Sequence, residues 1–179
     1  MKSLPTWRRV KRFAVHFAPQ VAAIGWALAS ATASADDIQP LKPVSDGSWR
    51  VEFSPFTHHF RYNSDHKPVW SVGIERESAD RQLFGLMGFS NSFGQPSAYL
   101  YYGRKFNNVL NLSESLYAKL SIGLMYGYKS PFDDEVPLNY NGFSPAIIPA
   151  IGWTIDKNWS VQVNVLGTAA FMFMVSRKL

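Results

Sequence analysis

The chain has 179 residues, and its formal charge of +5 comes from 18 Lys and Arg against 13 Asp and Glu. It contains no cysteine, which excludes disulfide bridges, zinc–thiolate sites and cysteine nucleophiles. Five of the basic side chains lie in the first twelve residues, and no acidic residue precedes Asp36. The excess positive charge therefore belongs to the N-terminus and does not indicate nucleic-acid binding.

Residues 1–35 have the three-part pattern of a secretory signal peptide. The basic start is followed by an Ala-rich apolar stretch from Phe13 to Ala29 and by a small-residue site, Ala33-Ser34-Ala35. Cleavage after Ala35 leaves residues 36–179 with 13 basic and 13 acidic side chains, so the mature chain is formally neutral. Since no later apolar run reaches the ~18 residues of a membrane-spanning helix, three classes stay open: a soluble periplasmic domain, a secreted domain or an outer-membrane barrel.

Residues 36–54 are expected to form a periplasmic lead-in, and residues 55–179 the folded domain. Within the lead-in, Pro43, Gly47 and the alternation of Trp49, Val51 and Phe53 argue against a helix. The lead-in is therefore predicted to be non-helical.

Alternation of apolar and polar residues with a period of two dominates residues 55–179. It is clearest over residues 116–128, where the apolar side chains from Leu116 to Tyr128 alternate with small or polar ones. Two further clear segments are Trp70–Glu75 and Trp159–Val165, and five weaker ones are Phe56–Tyr62, Leu83–Phe89, Ala98–Phe106, Ile147–Ile155 and Ala170–Leu179. An even number of such segments separated by turns predicts an all-β fold, an eight-stranded antiparallel transmembrane β-barrel.

A soluble, lipocalin-like barrel shows the same alternation with the faces reversed. In this chain the less apolar face is rich in Gly, Ser and Ala and poor in Lys and Glu. That composition fits a crowded interior better than a surface in water. It favours the membrane barrel and predicts location in the outer membrane of a Gram-negative bacterium.

The outer connections are the longer ones if both termini are periplasmic. The connections after the first, third, fifth and seventh strands then face outward, and they include residues 63–68, 91–97 and the long segment 129–145. The tight turn at residues 156–158 faces inward. Long outer loops and short inner turns are the asymmetry typical of such barrels.

Two segments bring chemically capable side chains to the outer rim. Phe60 and Tyr62 share the lipid-facing parity, so Thr57, His59 and Arg61 are expected to point into the barrel. The third strand also ends outside, in Phe89-Ser90-Asn91-Ser92, which places Asn91 and Ser92 on the same rim as His59. An imidazole that takes a hydroxyl proton and returns it to a leaving group is the minimum for acyl transfer.

The same residues have simpler interpretations. An Asn-Ser pair at a strand end is common in turns, and an inward His can fill a polar lumen through hydrogen bonds. A metal site is not expected, because His58 and His59 face opposite sides of their strand and residues 133–135 are typical of a solvated loop. No cofactor is predicted.

The sequence resembles the PagP-type lipid A palmitoyltransferases over most of residues 55–179. The resemblance rests on the signal peptide, the eight segments, residues 57–62 (Thr-His-His-Phe-Arg-Tyr), the 89–92 turn and residues 144–153. It implies an eight-stranded outer-membrane barrel that moves an acyl chain from a phospholipid to lipid A. The family's strand-1 histidine falls on His59 and its serine on Ser92, whereas Asn91 stands where the family has an aspartate, and the family's helix before strand 1 has no clear counterpart.

Two functions follow as hypotheses. The first is a lipid acyltransferase whose expected partners are membrane lipids, namely phospholipid and lipid A. In this hypothesis His59 is the general base, Ser92 handles the acyl group or relays a proton, and Asn91 orients the imidazole or binds an oxyanion. An amide at Asn91 can orient an imidazole but cannot offset its charge, and a comparable exchange in serine proteases costs ~10⁴ in rate. The second is a non-catalytic, monomeric barrel whose 129–145 loop meets a partner.

Overall fold

A computed structural model describes residues 47–179 of the chain. The predicted signal peptide, residues 1–35, and the first part of the lead-in, residues 36–46, lie outside the described residues. The described part contains eight strands: β1 (Gly47–His59), β2 (Ser71–Ser78), β3 (Gln82–Ser90), β4 (Pro96–Asn107), β5 (Leu116–Tyr126), β6 (Phe143–Thr154), β7 (Trp159–Leu166) and β8 (Ala170–Lys178). Each strand pairs antiparallel with the next, and β1 also pairs with β8, which closes the barrel and confirms the predicted architecture. No helix among residues 47–179 combines the length and the apolar character needed to cross a membrane.

Strand β1 is longer at its start and shorter at its end than the sequence pattern predicted. It begins at Gly47, inside the segment assigned to the lead-in, because residues 47–54 pair with β2. The pairing with β8 shifts register between Phe53 and Phe56. This bulge exchanges the inward and outward parities, so that one continuous strand reads as two unrelated segments in the sequence. The strand ends at His59. Arg61, which was expected to point into the lumen, lies beyond the end of the strand and is exposed.

The two ends of the barrel carry different connections. The end at which β1 begins and β8 finishes, here called the inner end, has the connections 79–81, 108–115 and 155–158. The opposite, outer end has the connections 60–70, 91–95, 127–142 and 167–169, of which 127–142 is the longest in the described residues. The distribution agrees with the topology predicted from strand parity.

The outward face of the barrel is apolar along every strand. Ile147 is 63 % exposed, Ile122 57 % and Phe84 52 %. The same face carries other exposed large hydrophobic side chains, among them Val51, Phe53, Phe56, Val72, Ile74, Leu86, Leu100, Leu120, Leu124, Ile151, Phe171 and Phe173. The apolar parity of the sequence is therefore the outside of the barrel, which is the reverse of a lipocalin-like arrangement.

The inner half of the lumen is filled by paired charges. Lys119 donates to Glu52 at 3.1 Å and to Glu75 at 2.5 Å, and the Tyr101 hydroxyl donates to the same two carboxylates at 3.2 and 3.0 Å. Glu52 and Glu75 are 2 % and 1 % exposed. We call Glu52, Glu75, Tyr101 and Lys119 the ionic layer. Nearer the inner end, Glu77 bridges Arg50 and Lys105.

The outer half of the lumen is apolar and Met-rich. Four of the five methionines of the chain line it, together with aromatic and aliphatic side chains: Val69, Met87, Phe89, Tyr99, Met125, Ile148, Leu166, Met172 and Met174. A cavity of about 90 Å³ lies between these side chains and the ionic layer. The lumen thus changes from apolar to ionic along the barrel axis.

Candidate functional site

His59 and Ser92 meet at the outer rim. His59 is the last residue of β1 and points inward, and Ser92 lies in the connection between β3 and β4. The His59 Nε2 atom is 2.8 Å from the Ser92 Oγ atom, a hydrogen-bonding distance. The structure therefore brings together two of the three side chains that the sequence placed on this rim. Their contact has the geometry in which an imidazole takes a proton from a hydroxyl.

Asn91 has a different place from the one expected of it. It is fully buried, and its Oδ1 atom accepts hydrogen bonds from the backbone N–H groups of Phe93 and Gln95 at 3.0 and 2.9 Å. Its Nδ2 atom donates to the Gln95 side chain at 3.2 Å and to the Gly127 carbonyl at 3.5 Å. These contacts use the two donors and the two acceptor positions of the amide. The expected role of Asn91 in orienting His59 or binding an oxyanion is thus not supported by its geometry, and Asn91 instead fixes the turn that presents Ser92.

His66 also belongs to the site, although the sequence pattern placed it in an outer connection and gave it no role. Its ring centroid lies 4.2 Å from that of His59, with the two planes tilted by 37°. The turn that carries it is tied to the site by a 2.7 Å hydrogen bond from the Lys67 N–H to the Ser92 carbonyl. Asp65, in the same turn, is exposed. A signal was present in the sequence, because residues 63–68 were assigned to the same rim as His59 and Ser92.

The long outer loop, residues 127–142, packs against the connection that carries Ser92. Phe132 stacks on Phe93, with ring centroids 4.0 Å apart and planes 9° from parallel. Phe93 follows Ser92 directly in the chain, and its other neighbours are the rings of His66 and Tyr128. These four rings form one cluster beside Ser92, which is itself half-buried.

The Tyr128 phenol lies beside Ser92. Burial raises the pKa of this phenol, against a smaller opposing effect of Ser92. The phenol is therefore neutral at physiological pH, and it can donate or accept at the Ser92 hydroxyl.

Within residues 47–179 no three His, Asp or Glu side chains are grouped as metal ligands would be.

Two β-barrels are among the solved structures that this chain resembles. A de novo designed transmembrane β-barrel shares 13 % identity over 79 % of this chain and 100 % of its own, with a TM-score of 0.49. The N-terminal β-barrel domain of Pseudomonas aeruginosa OprF shares 12 % identity over 75 % of this chain and 98 % of its own, with a TM-score of 0.44. No family model and no curated protein matches the sequence. At these identities and scores the two likenesses say nothing about what this chain does, and the functional argument rests on its own residues.

Proposed function

We propose that the chain is a closed β-barrel that spans the outer membrane of a Gram-negative bacterium. The observation that carries this proposal is the outward face, which exposes apolar side chains on all eight strands while charged side chains are buried in the lumen. In water each fully exposed Leu, Ile or Phe forgoes about 1.5–3 kcal/mol of burial, whereas in lipid the same face is solvated. The strands have 8 to 13 residues, which spans the roughly 9–11 that a tilted transmembrane strand requires.

The barrel is proposed to be non-conducting. The ionic layer and the Met-rich outer half fill the interior from one end towards the other. Eight-stranded barrels have interiors just wide enough for side chains. A role as a diffusion pore is therefore disfavoured.

Fractionation of cells that express the full chain tests the membrane location. The processed protein should sediment with outer membranes, resist extraction by high salt, and migrate differently on gels before and after boiling. Recovery in the soluble periplasmic fraction would contradict the proposal.

For the outer-rim pair we propose acyl transfer between membrane lipids, in line with the resemblance to lipid A palmitoyltransferases. The 2.8 Å contact between His59 and Ser92 supports it. In this scheme His59 Nε2 takes the Ser92 proton as Ser92 Oγ attacks the ester carbon of a phospholipid acyl chain. The ester bond then breaks, the imidazolium returns the proton to the departing lysophospholipid oxygen, and a hydroxyl of the acceptor lipid attacks the acyl-serine in the same way. In the alternative role Ser92 only relays a proton between the acceptor hydroxyl and His59.

We propose that lipids reach this site laterally, at the two places where the pairing between neighbouring strands is interrupted. The ladder between β6 and β7 ends at Ala150 and Asn164, although β6 continues outward to Phe143. The ladder between β1 and β2 ends at Ser54 and Ser71, although β1 continues to His59. Pro145 and Pro149 lie in the first unpaired stretch and Pro55 in the second, and proline lacks the N–H group that a ladder needs. These gaps in the outer half of the wall adjoin the apolar half of the lumen.

Lipid mass spectrometry tests the acyl-transfer proposal. Expression of the chain should add an acyl chain to lipid A or to another outer-leaflet lipid, and His59→Ala and Ser92→Ala should abolish the addition. His58→Ala is the matched control, because His58 is the adjacent exposed imidazole on the outward face, and it should retain full activity. Unchanged lipid acylation in all strains, also under membrane stress, would refute this function.

The non-catalytic alternative keeps one supporting observation. The long outer loop exposes large apolar side chains, with Leu138 79 % and Tyr140 78 % exposed. Such side chains on an outer loop fit contact with a partner. This alternative predicts that shortening residues 129–145 changes the cellular phenotype while His59→Ala and Ser92→Ala leave it intact.

A further inference from the structure

Charge is unevenly distributed among the described residues. Three basic and three acidic side chains cancel in the lumen: Arg50, Lys105 and Lys119 against Glu52, Glu75 and Glu77. At the outer end, three basic side chains (Arg61, Lys67 and Lys129) face four acidic ones (Asp65, Asp133, Asp134 and Glu135). At the inner end, six basic side chains (Arg76, Arg81, Arg104, Lys157, Arg177 and Lys178) face three acidic ones (Asp80, Glu114 and Asp156). The excess positive charge of the folded part thus lies at the inner end.

Three arginines of this end share one arrangement. Arg76 on β2, Arg104 on β4 and Arg177 on β8 lie on the lipid-facing parity near the inner ends of their strands. Their guanidinium carbons lie 5.4, 6.0 and 5.6 Å from the ring centroids of Trp49, Phe106 and Trp159, respectively. We call these six side chains the inner collar. The aromatic rings hold the guanidinium groups at the boundary between the apolar face and water, where an arginine stem lies along apolar surface and its head stays polar.

Two acidic side chains near the inner collar, Asp80 and Asp156, accept hydrogen bonds within turns. The Asp156 carboxylate accepts hydrogen bonds from the N–H groups of Asn158 and Trp159 at 2.7 and 2.8 Å. The Asp80 carboxylate accepts from the Ser78 hydroxyl and from the Gln82 side chain at the turn between β2 and β3. These contacts hold the two carboxylates at the turns, and Arg104 and Arg177 are exposed on the barrel face.

We propose that the inner collar binds the phosphate groups of anionic phospholipids in the leaflet that faces the inner end. The inference rests on the membrane location proposed above and adds a lipid preference to it. A guanidinium presents a planar set of donors that matches two phosphate oxygens, and anionic lipid attracts each basic residue near the membrane surface. A headgroup with net negative charge, such as phosphatidylglycerol, should be preferred over zwitterionic phosphatidylcholine.

The collar contains its own reporters, because Trp49 and Trp159 contact its arginines. The protein is purified from membranes of cells that express the full chain and is inserted into vesicles. It carries Trp70→Phe and Trp153→Phe, so that Trp49 and Trp159 are the tryptophans that remain in residues 36–179. One set contains brominated phosphatidylglycerol in phosphatidylcholine, and the other contains the brominated label on phosphatidylcholine. The ratio of tryptophan quenching in the two sets gives the preference for the anionic lipid at the collar.

We expect a preference of about fivefold for phosphatidylglycerol, reduced to near equality by R104Q/R177Q and by salt near 1 M. R104K/R177K keeps the positive charges but loses the planar set of guanidinium donors, and it should give an intermediate ratio. K67Q/K129Q, at the outer end, should leave the ratio unchanged. Gel migration before and after boiling confirms that each variant is folded. Equal quenching with the unsubstituted collar, or a ratio that R104Q/R177Q does not change, would overturn the collar alone. Absence of quenching by either brominated lipid would instead overturn the membrane location, and the collar with it.

Discussion

The two halves of the lumen are filled by different chemistry. In the inner half, each carboxylate of the ionic layer has a fixed partner at a short distance. In the outer half, methionine and aromatic side chains fill the lumen, and a cavity of about 90 Å³ lies between them and the ionic layer. Methionine is flexible and adapts to irregular neighbours. The comparison indicates that the inner half gives the barrel its rigid closure, while the outer half can change shape next to the site.

The largest expected effect is on the ionic layer. Lys119→Met removes the cation that contacts both Glu52 and Glu75 and leaves two buried carboxylates without it. The free energy of unfolding should fall by about 3–5 kcal/mol, the range for breaking a buried ion pair. Urea unfolding in detergent micelles or vesicles measures it.

Lys157→Met is the control, because Lys157 is an exposed cation in the turn 155–158 and its loss should change the free energy by less than about 0.5 kcal/mol. Equal stability of the two variants would show that the ionic layer does not hold the inner half together.

A charge on the outward face tests the other side of the same wall. Ile122→Lys places an ammonium group on the outward side of β5, where the present side chain is 57 % exposed. The expected destabilisation is about 2–4 kcal/mol in vesicles. A neutral result would argue that this face is in contact with water.

Two tyrosines, one in each half of the lumen, allow the stability contributed by their hydroxyl groups to be compared. The Tyr101 hydroxyl donates to both carboxylates of the ionic layer, whereas the Tyr99 hydroxyl contacts Ser121 and the Ala146 carbonyl in the outer half. Tyr101→Phe should cost about 1.5–3 kcal/mol and Tyr99→Phe about 0.5–1.5 kcal/mol, because hydrogen bonds to charged groups are the stronger ones. The reverse order in unfolding measurements would contradict the division of the lumen into a rigid and an adaptable half.

The smallest expected effect concerns the stack between Phe132 of the long outer loop and Phe93. Phe132→Ala removes the ring stacked on Phe93 and should loosen residues 127–142 by about 0.5–1.5 kcal/mol without unfolding the barrel. Hydrogen exchange should speed up in this loop and remain unchanged in β5 and β6. Uniform exchange in the variant and the parent would mean that the stack does not hold the loop.

Strand parity predicted the closed barrel, the inward direction of His59 and its meeting with Ser92, because side chains alternate with a period of two and adjacent outer ends share a rim. The start of β1 was wrong because the bulge between Phe53 and Phe56 changes parity within one strand, and single-sequence alternation does not reveal which extra residue is unpaired. The place of Asn91 depends on local turn contacts with Gln95 and Gly127, and that of His66 on the path of a loop. Neither follows from periodicity.

The exposed apolar face of the barrel is proposed to be in lipid, and the opposite face of the strands lines a closed lumen. The chain has no native cysteine, so a single cysteine carrying a nitroxide label can be placed at Ile122 or at the adjacent Ser121 of β5. In vesicles the label at position 122 should be accessible to oxygen and protected from a water-soluble nickel chelate, and the label at 121 should be protected from both. Strong accessibility of position 122 to the nickel chelate would contradict the account, because it would place the apolar face in water.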